Sequence, residues 1–334
     1  MKLRVGINGM GRIGKALLRQ LSTHHPDCEV VAVNDLYDAD QLAPLIAYDS
    51  IHGPYKMPVT AEGSKTLKVG DRRLSLYCEK EPRHIPWGKH GVQVVLECTG
   101  KHRTRALASG HLEGGAEHVI LSAPGGEDIP TYVMGVNDHL LDRGEAILSN
   151  ASCTTNCASP LLKVVHEAFG VEMAMLSTVH AVTASQPLFD QPSSGDPRGG
   201  RSAWSNIIPA STGAAQAIAR VLPSLKGKIA GMAFRVPVAN VSVIDLTLSL
   251  LEPTDYEGLC MRIQEAASGP LSGILGVAER GRVSSDFLGD TRSSIFDREA
   301  GLALGSHFFK LVAWYDNEMG YAARLIDLMK RIGD

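Results

Sequence analysis

The first half of the chain alternates uninterrupted Val/Ile/Leu runs with stretches of helical character. LRVGIN precedes KALLRQLSTH, CEVVAVND follows, and VQVVLECTG and HVILSAP come later. Apolar runs bounded by Gly or Asp suit strands buried on both faces of a parallel sheet, with the helices as crossovers. The pattern predicts an α/β, doubly wound (Rossmann) parallel-sheet domain over residues 1–152.

The second half changes character. A helix is predicted near 153–168, followed by long segments with period-2 patterning: MAMLSTVHAVTA, KIAGMAFRVP, NVSVIDLTLSLL and HFFKLVAWYD. In the third of these, Ile244, Leu246, Leu248 and Leu250 fall on one face. Long strands with one apolar face predict an α+β second domain over 153–316, its mainly antiparallel sheet covered on one side. Thr178, His180 and Val182 are expected on one face of their strand, with Val179 packing inward. SQPLFDQPSSGDPRGGRSA (185–203) reads as a long ordered loop of functional use. The tail NEMGYAARLIDLMKRIG predicts a final amphipathic helix within 317–334, carrying Leu325, Leu328 and Met329 on one stripe and packing back on the first domain. No internal repeat, heptad run or low-complexity tract interrupts this plan.

Composition adds limits. At 334 residues, 44% hydrophobic and 21% charged, the chain has ordinary globular composition and length for two domains. A net charge of −3 supplies no bulk attraction for nucleic acid or an anionic membrane, so an anionic substrate needs a local basic cluster. The six cysteines, at 28, 78, 98, 153, 157 and 260, read as reduced intracellular thiols. The opening MKLRVGINGMGRIGK lacks the apolar run of a signal peptide, and no window nears the ~18 apolar residues of a membrane span. A soluble cytoplasmic protein is expected, without a metal.

Two segments carry candidate chemistry. RVGINGMGRIGK holds Gly9-x-Gly11-x-x-Gly14 between a strand and a helix. Gly9 permits the turn, Gly11 lets the backbone approach a pyrophosphate, and Gly14 allows close helix–strand packing. Alone the pattern is weak. It gains weight from Asp35, 21 residues after Gly14 at the end of a second strand, where a carboxylate would bind ribose hydroxyls. That carboxylate would repel a 2′-phosphate, so NAD is favoured over NADP. The overlapping Gly9-x-x-x-x-Gly14-Lys15 mimics a nucleotide-hydrolase loop, but Ala16 stands where Ser or Thr must hold magnesium.

The second segment, SNASCTTNCASPLLKVVHEAFG (149–170), puts Cys153 in the first turn of a helix among capping residue types. A free thiol titrates near ~8.5, and a helix N-terminus contributes roughly 0.3–1 kcal/mol, less than one pKa unit. A nucleophilic Cys153 therefore needs a base or cation as well, histidine being the natural choice. Cys157, one turn later, suggests metal or disulfide chemistry, yet nothing completes a tetrahedral site. It reads as a small core residue.

At ASCTTNC the chain resembles the catalytic stretch of glyceraldehyde-3-phosphate dehydrogenases. GINGMGRIGK, YDSIHG, IPW, ECTG, SAP, STVHAVTASQ, NIIPASTGAA, GMAFRVPVANVSVIDLT and WYDNEMGY extend the likeness in order over essentially the whole chain. The resemblance implies Cys153 as nucleophile and His180 as base and proton donor. It implies Thr183 and Arg235 for the substrate phosphate, Arg198 at an anion-binding position, and Ser152, Thr154, Thr212 and Gly213 for inorganic phosphate. On the cofactor side it implies backbone N–H groups of Arg12 and Ile13 for the pyrophosphate, and Asn34 with Asp35 for the adenosine half. Ser122 would lie near the nicotinamide and Asn317 would hold its carboxamide. Pro192 stands where NAD-specific members often carry proline. The implied activity is NAD-dependent phosphorylating oxidation of glyceraldehyde 3-phosphate to 1,3-bisphosphoglycerate, glycolytic or gluconeogenic, by a homotetramer whose subunits meet at the 185–206 loop.

The chain departs from the family pattern at Met10, Met319, Lys101-His102, Pro187 and Gly195. Alternatives with the same chemistry are an erythrose-4-phosphate dehydrogenase or an arsenate-using variant. From another class, the alternative is an NAD-binding scaffold or RNA-binding regulator, but the intact Cys153–His180 pair and the absence of a basic stripe argue against that as its main role.

Overall fold

A computed structural model describes residues 2–333 of the chain, which form two compact units. The first comprises Met1–Tyr132, Leu140–Ala151 and Ala322–Asp334. Its core is the run of strands and helices β1 (Leu3–Asn8), α1 (Arg12–His24), β2 (Cys28–Asn34) and α2 (Ala39–Ala47). A two-residue ladder follows, β3 (Tyr48–Asp49) with β4 (Gly53–Pro54). Next come β5 (Val59–Ala61), β6 (Thr66–Val69), β7 (Arg72–Tyr77), β8 (Val94–Glu97), α3 (Arg105–Glu113), β9 (His118–Leu121) and β10 (Ile147–Ser149). One eight-stranded sheet runs β10-β9-β8-β1-β2-β7-β6-β5. From β10 to β7 the ladders are parallel, as doubly wound topology requires.

Every residue of β8 is buried, as are the last four of β1 and the last five of β2. That is why those runs lack alternation. The β5–β6–β7 end is antiparallel. Its strands are short and mixed in polarity, so no apolar run announced them.

The second unit comprises Val133–His139 and Ser152–Tyr321. It contains α4 (Cys153–Phe169), β11 (Val171–His180), β12 (Ile208–Ser211), α5 (Ala214–Val221), β13 (Ile229–Arg235) and β14 (Ser242–Leu250). These are followed by α6 (Tyr256–Ser268), β15 (Leu275–Val277), β16 (Ser294–Leu304) and β17 (Phe308–Tyr315). The seven-stranded sheet runs β12-β13-β11-β14-β17-β16-β15 and is antiparallel except at β11–β13 and β15–β16.

One face packs under the helices. Ile244, Leu246, Leu248 and Leu250 join Leu161, Ile218, Ile263 and Phe309 in its core. The other face carries Met173 and Met175, 62% and 71% exposed, with Leu302 and Leu304. Val179 is corrected by this layout. Ala174, Leu176, Thr178 and His180 take the buried face of β11, while Val179 falls on the open one, because strand alternation must turn one of each neighbouring pair outward.

The C-terminal helix α7 (Met319–Gly333) belongs to the first unit from Ala322 onward, with Leu325, Ile326, Leu328 and Met329 fully buried. Among the described residues no helix is long and apolar enough to cross a membrane. None of them gathers three His, Cys, Asp or Glu side chains into a metal-binding cluster.

Candidate active site

The glycine turn after β1 is fixed by sterics and by one carboxylate. Gly9 sits at φ +94°, where a side chain is strained, and its N–H donates to Asn34 O at 2.8 Å. A Cβ on Gly14 would stand 2.0 Å from Gly9 O, so only glycine lets α1 approach the strand this closely. At Gly11 an added Cβ would meet nothing within 4 Å, which leaves the approach to the turn open. Asp35, just past β2, accepts the Met10 N–H on Oδ2 at 2.7 Å. The carboxylate and the turn are thus one hydrogen-bonded unit. Arg12 and Ile13 form the first helical turn of α1, where the helix itself supplies no acceptor for their N–H groups.

Asp49 adds a brace that the sequence reading passed over inside YDSIHG. The Arg12 guanidinium grips it at 2.5 and 3.0 Å, and Lys15 Nζ lies 3.6 Å away. Burial opposes the charge of Asp49. Arg12 and the N–H groups of His52 and Ile51 outweigh that and hold its carboxyl well below the usual range.

Asn34 is occupied structurally. Its Nδ2 donates to Asn8 Oδ1 at 2.8 Å and Glu79 O at 2.9 Å, while its Oδ1 accepts the Glu79 N–H at 2.9 Å. What it offers a ligand is therefore the shape of the wall. Asn8, Gly9, Gly11, Asp35, Thr99 and His102 line a cavity of about 810 Å³, within the ordinary size range of small-molecule sites. In its wall, His102 Nδ1 is buried without a hydrogen-bond partner among the described residues. Ser122 lies just past β9, its N–H bonded to Glu97 O at 2.9 Å.

Glu97 holds this wall from behind. It accepts Asn8 Nδ2 at 2.5 Å and Thr99 N–H at 2.7 Å, and His111 Nε2 lies at 2.9 Å. Trp87 Nε1–H donates to His111 Nδ1 at 3.0 Å, so Nε2 must carry the imidazole proton toward Glu97. Burial opposes ionisation of Glu97, yet His111, Thr99 and Asn8 keep its carboxyl below the ordinary value. Sequence reasoning missed this network. Its signal was available, since Asn8, Asn34 and Glu97 are polar residues closing three adjacent parallel strands, where ligands of such sheets bind.

In the second unit the nucleophile candidate opens α4. Ser152 caps the helix, its Oγ accepting the Thr155 N–H at 3.2 Å. Cys153 is half-buried, and its Sγ lies 3.4 Å from His180 Nε2. His180 ends β11, and its Nδ1–H donates to Ala181 O at 2.7 Å. That bond fixes the tautomer and turns the Nε2 lone pair toward the thiol.

Burial pushes the Cys153 thiol up, while the Arg235 charge and the Thr154 N–H work to lower it. Burial and Arg235 together bring His180 down to about 4. The imidazole is therefore a neutral base at pH 7, placed to receive the thiol proton.

The anion residues are placed unevenly. Arg235 stands opposite His180 across the β11–β13 ladder, and its buried Nη1 has no partner among the described residues. A desolvated guanidinium N–H without an acceptor calls for an anion. Thr212 and Gly213 lead into α5, with Thr212 Oγ1 accepting the Ala214 N–H at 3.2 Å. Thr183 starts the long loop, its Oγ1 3.1 Å from Ser185 Oγ. Thr154 Oγ1 lies 3.0 Å from Tyr315 Oη, and both its hydroxyl and its backbone N–H bear on the Cys153 sulfur. Arg198 stands apart, exposed in the turn Pro197–Gly200, its backbone N–H donating to Asp196 Oδ1 and its carbonyl accepting the Arg201 N–H.

Tyr315 escaped the sequence reading. Its hydroxyl also lies 2.9 Å from Thr178 Oγ1, and its ring meets His180 edge-on at 6.0 Å. It thus touches His180 directly and reaches Cys153's neighbour Thr154 through its hydroxyl. Asn317 follows β17, its Oδ1 accepting the Ser242 hydroxyl proton at 2.8 Å.

Comparison with known proteins gives the family. Residues 3–105 match the model of the glyceraldehyde 3-phosphate dehydrogenase NAD binding domain, and residues 152–317 match that of its C-terminal domain. A glyceraldehyde-3-phosphate dehydrogenase of Chlamydia trachomatis serovar L2 is 50% identical over 99% of this chain and 98% of its own length. A chloroplastic one of Arabidopsis thaliana is 50% identical over 99% of this chain and 78% of its own. A cytosolic one of Magnolia liliiflora is 49% identical over 98% of this chain and 96% of its own. A glycine turn closed on a strand-end carboxylate, a cysteine facing an oriented histidine and these end-to-end matches have one meaning: the chain belongs to the glyceraldehyde-3-phosphate dehydrogenase family.

Proposed function

We propose that the chain oxidises glyceraldehyde 3-phosphate to 1,3-bisphosphoglycerate with NAD and inorganic phosphate, through a covalent intermediate on Cys153. The observation that carries this reading is the 3.4 Å approach of Cys153 Sγ to an imidazole whose other nitrogen is already committed to Ala181 O. Cys153 gives its proton to His180 Nε2 and attacks the aldehyde carbon. His180 returns that proton to the oxyanion, completing a thiohemiacetal. It then removes the hydroxyl proton as the carbon loses hydride and a thioester forms.

NAD supplies the two-electron acceptor for that hydride. Gly9, Gly11, Arg12, Ile13, Asn34, Asp35 and Ser122 would hold the dinucleotide, and Asn317 the nicotinamide carboxamide. The open approach at Gly11 and the buried His102 Nδ1, without a partner among the described residues, fit such a guest. Thr183 and Arg235 would bind the substrate phosphate, with Arg198 a further anion-binding residue. Ser152, Thr154, Thr212 and Gly213 would hold the inorganic phosphate whose oxygen displaces sulfur and releases the acyl phosphate.

The exposed Met173, Met175, Leu302 and Leu304 of the second sheet, with Phe189, Trp204 and Ile207, support a homo-oligomer, which we assign as a tetramer. We assign the cytoplasm as its compartment. The deciding assay follows NAD reduction with glyceraldehyde 3-phosphate and with erythrose 4-phosphate, each with phosphate, arsenate or neither. Fast turnover on the triose that requires phosphate or arsenate is expected. Preference for the tetrose, or indifference to the acyl acceptor, would overturn the assignment.

A further inference from the structure

Three hydrogen bonds join His180 to Asn317. His180 Nδ1–H donates to Ala181 O at 2.7 Å, Ala181 N–H donates to Ser242 Oγ at 3.0 Å, and the Ser242 hydroxyl donates to Asn317 Oδ1 at 2.8 Å. All four residues are buried. A serine hydroxyl has a single proton. The Ala181 N–H can only donate, so it occupies an Oγ lone pair and leaves the Ser242 proton for the other neighbour. Asn317 must then present Oδ1 to Ser242. Were its amide turned over, Nδ2 and Ala181 N would both donate to Oγ, and the hydroxyl proton would be left buried without an acceptor. The sense of the chain therefore selects one of the two amide orientations and reserves Nδ2 as the donating end.

Ser242 is itself held firmly. It opens β14 directly opposite Tyr315. It follows Val241, at φ +68°, a conformation that β-branched residues avoid. The Val241 N–H donates to Asn240 Oδ1 at 2.8 Å, and Asn240 Nδ2 donates to Asp316 Oδ1 at 2.9 Å. The residues preceding Ser242 and Asn317 are thus clamped together, which leaves the hydroxyl little freedom to choose another partner.

We propose that Ser242 is a positioning residue for cofactor recognition: it orients the Asn317 amide so that Nδ2 donates to the carboxamide oxygen of the nicotinamide. This inference rests on the assignment of Asn317 above.

The test is calorimetric NAD binding to the intact protein in four forms: unaltered, Ser242→Ala, Asn317→Ala and the double variant. Ser242→Ala is expected to weaken NAD about tenfold alone, and less than about twofold once Asn317 is alanine, because the two act as one unit. Ser242→Thr keeps the hydroxyl and is expected to bind within about twofold of the unaltered protein. An unchanged affinity in Ser242→Ala, or an equal loss in both backgrounds, overturns the proposal. Unaltered affinity in Asn317→Ala would instead overturn the carboxamide assignment, so the two failures are told apart. If Ser242→Ala does not fold, as read by circular dichroism, Ser242→Cys takes its place in the same cycle, since a thiol is a weak donor of nearly the same size.

Discussion

Arg235 faces His180 directly across the parallel ladder of β11 and β13. One guanidinium therefore acts on both members of the proposed catalytic pair, Cys153 and His180. It favours the Cys153 thiolate, disfavours the His180 imidazolium and leaves a buried N–H for an anion. Arg235→Gln is expected to lower kcat/KM for the phosphorylated aldehyde by about a hundredfold or more. The acid limb of its pH profile should also move upward, because His180 climbs back from about 4 toward its ordinary 6.5. An acid limb left in place would separate the guanidinium from the imidazole.

His180→Asn removes the acceptor of the thiol proton, while burial still holds the thiol up. Alkylation of Cys153 by iodoacetamide at pH 7 should slow at least tenfold, with its pH midpoint shifted upward, and turnover should fall roughly 10²–10⁴-fold. Equal alkylation rates in the two proteins would show that His180 is not the base.

The same histidine makes stability depend on pH. An unfolded histidine titrates near 6.5 and the folded one at about 4. Between those values the unfolded chain binds the extra proton, so stability falls as pH falls through that window, by up to about 3 kcal/mol. Thermal melts from pH 7 to 4 should show a smaller loss in His180→Asn. Parallel curves would contradict a depressed His180.

Asp35→Ala is expected to weaken NAD and to narrow its preference over NADP, since it removes the carboxylate opposed to a 2′-phosphate. The Met10 N–H loses its acceptor as well. Asp35→Asn restores that bond without the charge, so it should recover part of the NAD affinity while leaving the NADP ratio narrowed. Titration with both cofactors checks the pair.

Gly14→Ala places a methyl 2.0 Å from Gly9 O. Displacing α1 should cost about 1–3 kcal/mol and weaken NAD more than it lowers the melting point would suggest. Gly11→Ala meets nothing within 4 Å among the described residues, so it should leave the melt unchanged and disturb NAD alone.

Much was determined by local pattern. The buried strands β1, β2, β8 and β9 announce themselves because parallel sheets bury both faces, and β14 because its Ile244–Leu250 face alternates strictly. The glycine turn and the capped Cys153 are equally local, since φ requirements and helix ends depend on a few neighbours. What only the tertiary structure decided is which distant groups meet. Asp49 reaches Arg12 across 37 residues, Glu97 joins Asn8 across 89, and Ser242 meets Asn317 across 75. Hydrogen-bond direction, tautomer and proton location follow from such meetings, and sequence spacing cannot encode them because register and packing set which atoms face one another.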